Sequence, residues 1–347
     1  MQKTCPQNGE SVLWTEDSKD GRLIVEMNRR LAAPDKSLIE NILKLPDKET
    51  TNRSLGVLQD RVQIAVPLVL VEEALANHVE PKPHKDRPIA EMVQLILDRR
   101  DDWLEDPLEL VFMELVRGEV VRKQIRLAPE RAESLEYSLR NLTTVAVPLA
   151  EWEAKRFAEK KERREARNRQ KNGYLHLLTE DFRAPLDLAE FANNGIRFLR
   201  AVLNRPELGS PVLEGVLAHG LRRRHKECIK EIDLRLSSLN FDQLGCLPFT
   251  KGYLLAEVLY DIGRVSKLGP KASAIANPQV LSKSNMNDEE DQQYVASALI
   301  CDGLVTCDQG MHRVACAIKE TGHWHGSSWY VPRDHVDRLE DYLSPIT

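Results

Sequence analysis

Between Asn287 and Asp308 the chain writes a helix and a strand in immediate succession, and this unit constrains the fold more than any other stretch. An acidic opening, Asp288-Glu289-Glu290-Asp291, leads into an alanine-rich helix expected over Asp291 to Ile300. Carboxylates there suit the positive end of the helix dipole. Leu304-Val305-Thr306 then reads as a short strand, with Asp308 just past its carboxyl end. Sites in open α/β sheets gather at such carboxyl ends. A comparable phrase stands near the amino end. Val62 to Val66 is an apolar, largely β-branched strand, Pro67 closes it, and Leu68 to Asn77 reads as the following helix, with proline suited to its first turn. Val145-Ala146-Val147-Pro148-Leu149 repeats the motif. Strands joined through helices imply a parallel sheet.

The remaining pattern divides the chain of 347 residues into three parts. Residues 1–92 alternate short strands and helices: Leu23-Ile24-Val25 is one strand, and Ser37 is the expected N-cap of a helix running to Leu45. Residues 93–244 are mainly helical, with helices expected at Ala90–Arg99, Pro107–Leu115, Glu151–Lys171, Leu186–Leu203 and within Pro211–Leu236. Residues 245–347 return to alternation, with a helix at Tyr253–Ile262, a strand at Trp329–Val331 and a closing helix at Arg333–Tyr342. The expected architecture is one three-layer α/β domain whose parallel sheet comes from both chain ends, interrupted by a large helical insertion.

Several classes of function are disfavoured. Neither G-x-x-x-x-G-K nor G-x-G-x-x-G occurs, which argues against nucleotide and dinucleotide chemistry, and no G-x-S-x-G elbow supports a hydrolase triad. The six cysteines include no C-x-x-C pair, so a structural zinc site has no support. Cys301 and Cys307 read as packing residues, and His323-Trp324-His325 as a turn. No apolar run is long enough to span a bilayer, and the first residues, MQKTCPQNGES, lack the features of a secretory leader, so a cytoplasmic protein is expected.

The C-terminal pattern, an acid, six residues, alanine, then Cys301-Asp302-x-x-Val305-Thr306-x-Asp308, resembles the C-terminal half of PIN-like nuclease domains. By that resemblance Asp291 is the helix-opening acid and Thr306 and Asp308 form the Thr-x-Asp element. Asp302 matches an aspartate of one branch of the family, and Asp288 is an extra acid nearby. The family's amino-terminal strand into Asp-Thr-Asn is matched by Leu23 to Asn28, with Glu26 in place of the aspartate and Met27 in place of the hydroxyl residue. Asp17 is the other acid within reach. A glutamate on the helix after the second strand corresponds to Glu73, which the spacing from Pro67 favours over Glu72. The resemblance covers the two ends of the chain and leaves the middle unassigned.

The resemblance implies a hydrolase, specifically an endoribonuclease-type activity dependent on one or two Mg²⁺ or Mn²⁺ ions, with RNA rather than DNA as substrate. The metal ligands would be Glu26, Glu73, Asp291 and Asp308, with Thr306 orienting a carboxylate or water and Asn28 supporting the set. Four converging carboxylates repel one another unless a cation intervenes. Hard oxygen ligands suit Mg²⁺ and Mn²⁺, and a water activated by the ion would attack the phosphodiester in line, leaving a 5′-phosphate and a 3′-hydroxyl. Such nucleases serve in toxin, RNA-turnover or antiviral roles. The alternative is a degenerate PIN-like protein that binds nucleic acid or serves as a scaffold, motivated by Glu26 and Met27.

Net charge is only −5, so any nucleic-acid grip must be local. Residues 154–171 hold nine basic side chains, Arg163, Arg164, Arg167 and Arg169 among them, against three glutamates. Arg222-Arg223-Arg224 is a second basic run. Both are candidate phosphate-backbone contacts. The i,i+4 pairs Glu151–Lys155, Glu159–Arg163 and Glu165–Arg169 equally suit a plainly solvated helix. A membrane partner is not expected; a homo-oligomer or a regulatory protein partner stays open.

Overall fold

The computed structural model describes residues 30–71, 73, 89–121, 126–141, 187–205, 213–268 and 288–343. The expected strand at Leu23–Val25, the Val145–Leu149 unit and the basic helix over 154–171 lie outside the described residues.

Strand β1 (Arg30–Pro34) leads into helices α1 (Lys36–Leu43) and α2 (Lys48–Arg61). Strand β2 (Val62–Val66) follows, then helical residues 68–71 and 73, α3 (Ile89–Arg99) and the two-residue β3 (Asp102–Trp103). Next come α4 (Pro107–Leu115), α5 (Pro129–Asn141), α6 (Leu188–Leu203), a π-helical turn (Glu214–Ala218) continuing into α7 (His219–Arg224), and α8 (Ile229–Ser238). Then follow α9 (Pro248–Leu268), α10 (Asp288–Ala298), β4 (Gly303–Thr306), α11 (Gln309–Glu320) and β5 (Ser327–Tyr330). A 3₁₀ segment (Arg333–Arg338) and α12 (Leu339–Tyr342) replace the single closing helix expected there.

All five strands are parallel, in the order β3-β2-β1-β4-β5. The central strands are apolar almost throughout: Leu31-Ala32-Ala33, Ile64-Ala65-Val66 and Leu304-Val305 are buried. That continuity is what a parallel sheet covered on both faces requires. Helices α1 and α2 pack with the 3₁₀ segment, touching β4 and β2. Helix α10 lies on β1 and β4, with α11 on β4 and β5 and α9 and α6 packed behind them. Sheet and helices share one continuous apolar core, which includes Leu254, Leu255 and Leu259 of α9. Gly303 is required where β4 meets β5, because a Cβ there would come within 2.0 Å of the Trp329 ring.

The chain builds outward from β1 through β2 to β3, then returns to the other side of β1 for β4 and β5. The strand order therefore reverses between β1 and β4, where Pro34 aligns with Val305. A crevice at the carboxyl ends of these two strands is the binding position of open α/β sheets. The edge strand β3 falls inside the stretch that the sequence reads as helical insertion. Two residues pairing with Ala65 and Val66 leave no periodicity to detect.

Helix α1 starts differently from the expectation. Asp35, not Ser37, is the N-cap: its carboxylate accepts the Leu38 N–H at 2.8 Å, and Ser37 sits in the first turn. Aspartate after an extended proline already satisfies the orphan donors that a cap must serve. At the start of α9, Glu114 of α4 accepts the Phe249 N–H at 3.1 Å and the Thr250 N–H at 2.6 Å. A buried carboxylate at a helix amino end both caps it and complements its dipole, so α4 fixes the position of α9 behind α10 and α11.

Candidate active site

Asp35 leaves the carboxyl end of β1 and is 1% exposed. Besides the Leu38 N–H it accepts Ser37 Oγ at 2.5 Å and Thr306 Oγ1 at 2.9 Å. Thr306 ends β4, and its oxygen also accepts the Asp308 N–H at 2.8 Å. One buried hydroxyl thus ties the first acid to the last. Asp308 caps α11 through the Met311 N–H at 2.8 Å, using one carboxylate oxygen.

The other two acids come from the flanking helices. Glu73 follows β2 and is held from both sides: Tyr294 Oη donates to it at 2.8 Å and Lys36 Nζ approaches at 3.2 Å. Tyr294 lies on α10 three residues after Asp291, a spacing that puts both on one helix face. Asp291 sits in the first turn of α10. Among the described residues no donor contacts its carboxylate, and Asp308, Glu73, Asp35 and Glu290 act on it through space. Tyr260 of α9 lies within electrostatic reach of Asp291, Asp308 and Asp35. Its hydroxyl oxygen is buried and has no hydrogen-bond partner among the described residues.

The electrostatics follow from crowding acids in a dry place. Burial, with a smaller push from Asp308, lifts Asp35 to about 6 against the pull of its three donors. Burial and then the neighbouring carboxylates drive Asp291 well above the ordinary carboxylate range. Burial, then these acids, keeps the Tyr260 and Tyr294 phenols protonated far above their usual value. The acids are coupled through space without forming a closed set of three ligand side chains among the described residues.

The structure brings Glu73, Asp291, Thr306 and Asp308 of the expected set to this crevice. Glu26 and Asn28 lie outside the described residues, as do Arg163, Arg164, Arg167 and Arg169. Arg222 is engaged by Glu214 and Asp233, and Arg224 by Asp106 at 2.7 Å. Those two guanidinium groups knit α7 to its neighbours. Arg223 shares the same helix. Three residues escaped the sequence reading: Asp35, Tyr294 and Tyr260. An apolar Leu31-Ala32-Ala33 ahead of Pro34-Asp35 was the signal for the first. Cys301 and Cys307 are buried, with burial raising both thiols, as packing residues should be.

Thr306→Val tests the bridge. The side chain keeps its shape, but Asp35 loses a donor and the Asp308 N–H loses its acceptor. Leaving such buried groups unpaired costs about 1–3 kcal/mol. Thermal denaturation should show a clear fall in Tm, largely restored in Thr306→Ser. Equal Tm values for wild type and Thr306→Val would remove the bridge from the account.

Fold and site together define an α/β protein with an acidic crevice at the strand-order reversal of its parallel sheet. Compared with models of known families, with curated proteins and with solved structures, the chain finds no match. Among the described residues no helix is long and apolar enough to cross a membrane.

Proposed function

We propose that this chain is a PIN-like nuclease that hydrolyses phosphodiester bonds of RNA with Mg²⁺ or Mn²⁺, in one- or two-ion form. The observation that carries the reading is that Asp35, Glu73 and Asp308, drawn from three separate elements, act through space on Asp291 of a fourth, a carboxylate that no donor among the described residues satisfies. Asp35 takes the part that the sequence suggested for Glu26. The donor set fits hard divalent cations: all four are carboxylates, and neither cysteine nor histidine is needed.

Bound there, such an ion supplies Lewis acidity and makes a water a competent nucleophile near neutral pH. The chain's own residues do the rest. Asp291, with no competing donor among the described residues, and the second oxygen of Asp308 are available to the cation. Thr306 fixes the rotamer of Asp35, while Tyr294 and Lys36 fix that of Glu73. Supporting hydrogen bonds of this kind orient ligands and tune their basicity. The basic stretch at 154–171, with Arg163, Arg164, Arg167 and Arg169, is our candidate for holding the phosphate backbone, in a cytoplasmic setting.

Purified protein should degrade labelled single-stranded RNA in Mg²⁺ or Mn²⁺, stop on addition of EDTA, and leave 5′-phosphate ends. Tight RNA binding without cleavage in any divalent cation would overturn the reading in favour of a non-catalytic nucleic-acid-binding scaffold.

A further inference from the structure

The donors that line the crevice are almost all committed. Thr306 and Ser37 donate to Asp35, Tyr294 and Lys36 serve Glu73, and the Leu38 and Met311 N–H groups are held by Asp35 and Asp308. Carboxylates themselves supply no donor when ionised. A phosphodiester entering this space offers only acceptors on its non-bridging oxygens, so it needs a donor that the acids do not already hold.

Tyr260 meets that need. Its position is set by α9, which Glu114 caps, which packs on both α10 and α11, and which receives Gln292 Nε2 at the Tyr253 carbonyl at 3.4 Å. The hydroxyl oxygen is buried, lies within electrostatic reach of Asp291, Asp308 and Asp35, and bonds to none of the described residues. Leaving a buried donor unmatched is costly, and a partner that arrives with the ligand resolves that cost. A neutral phenol is also the kind of donor that tolerates an acidic wall, since it neither neutralises the carboxylates nor competes with a cation for them.

We propose that Tyr260 is a substrate-binding residue whose hydroxyl donates to a non-bridging oxygen of the phosphate held in the crevice. This rests on the reading of the crevice as a divalent-metal phosphodiester site. Tyr260→Phe removes only the unmatched hydroxyl, so the variant should melt no lower than wild type. Two titrations separate the possibilities: Mn²⁺ alone into each protein, and a 5′-phosphorylated RNA trinucleotide into each Mn²⁺-loaded protein. The expected result is unchanged Mn²⁺ affinity and trinucleotide affinity weakened about 10- to 100-fold, as for a hydrogen bond to a charged group. Equal trinucleotide affinity would overturn the proposal, with metal binding and RNA cleavage still standing. So would a matching loss of Mn²⁺ affinity, which would place Tyr260 in support of the carboxylates. Absence of Mn²⁺ binding in wild type would bring down the metal-site reading and this proposal with it.

Discussion

Replacing Asp291 with asparagine should raise the melting temperature of the metal-free protein while abolishing the metal-dependent cleavage of RNA that we propose. The two effects have one cause. Asp291 is half-buried, meets no donor among the described residues, and feels Asp308, Glu73 and Asp35. In the metal-free protein this carboxyl must either hold a proton that the unfolded chain releases or carry a repelled charge, and a neutral amide of the same shape avoids both costs. An increase in Tm of about 1–2 °C corresponds to roughly 1 kcal/mol in a chain of 347 residues. With a cation the balance reverses, because the amide is a poor ligand and several kcal/mol of charge stabilisation disappear. Cleavage should fall about a thousandfold or more. Asp308→Asn makes the informative comparison. Asparagine caps a helix as well as aspartate does, so the amino end of α11 is preserved and Tm should hardly move, yet cleavage should fall as far. Scanning fluorimetry beside an RNA-cleavage assay reads both. An Asp291→Asn protein that is less stable and equally active would refute the assignment.

The metal-free protein should also lose stability as pH rises, against the usual trend for carboxylates. Asp35 is lifted from 3.8 to about 6 by burial. Between these values the unfolded chain has released this proton and the folded chain still holds it, so the free energy of unfolding falls as pH increases. The full effect is about 3 kcal/mol, present below pH 4 and gone above about pH 6. Asp291, also raised well above the ordinary carboxylate range, adds to the decline. Tm measured from pH 4 to pH 8 should therefore fall more steeply in wild type than in Asp35→Asn, and Mn²⁺ should recover the loss at the upper end by replacing the protons. Parallel Tm curves for wild type and Asp35→Asn would show that Asp35 is ionised in the fold.

The two ends of the chain were unequally legible. Val62–Val66 and Pro107–Leu115 were read to the residue because a β-branched run and a proline-led amphipathic turn announce themselves. Asp291, Thr306 and Asp308 stand out in the sequence because helix, strand and acids follow one another within a short span. Asp35 was missed for a physical reason: its strand is built on Leu31-Ala32-Ala33, and alanine carries little β propensity, so Leu23-Ile24-Val25 looked the better strand. Helix α11 was readable and overlooked, since Met311, Val314, Ala315 and Ile318 recur at helical spacing. Tyr260 could not have been found from local pattern. Its place depends on how far α9 extends and on what caps it, and neither is written near residue 260.

The pairing of β1 with β4 has a consequence for biosynthesis. Asp35 and Thr306, joined by a hydrogen bond, are 271 residues apart along the chain. Contacts so distant form slowly and require closing a very long loop. A ribosome that has delivered Asp35 and Glu73 has still to deliver Asp291, Thr306 and Asp308. The growing polypeptide therefore carries only the first half of the acidic cluster until the long stretch between Glu73 and Asp291 has been made, and whatever the finished crevice does is withheld until then.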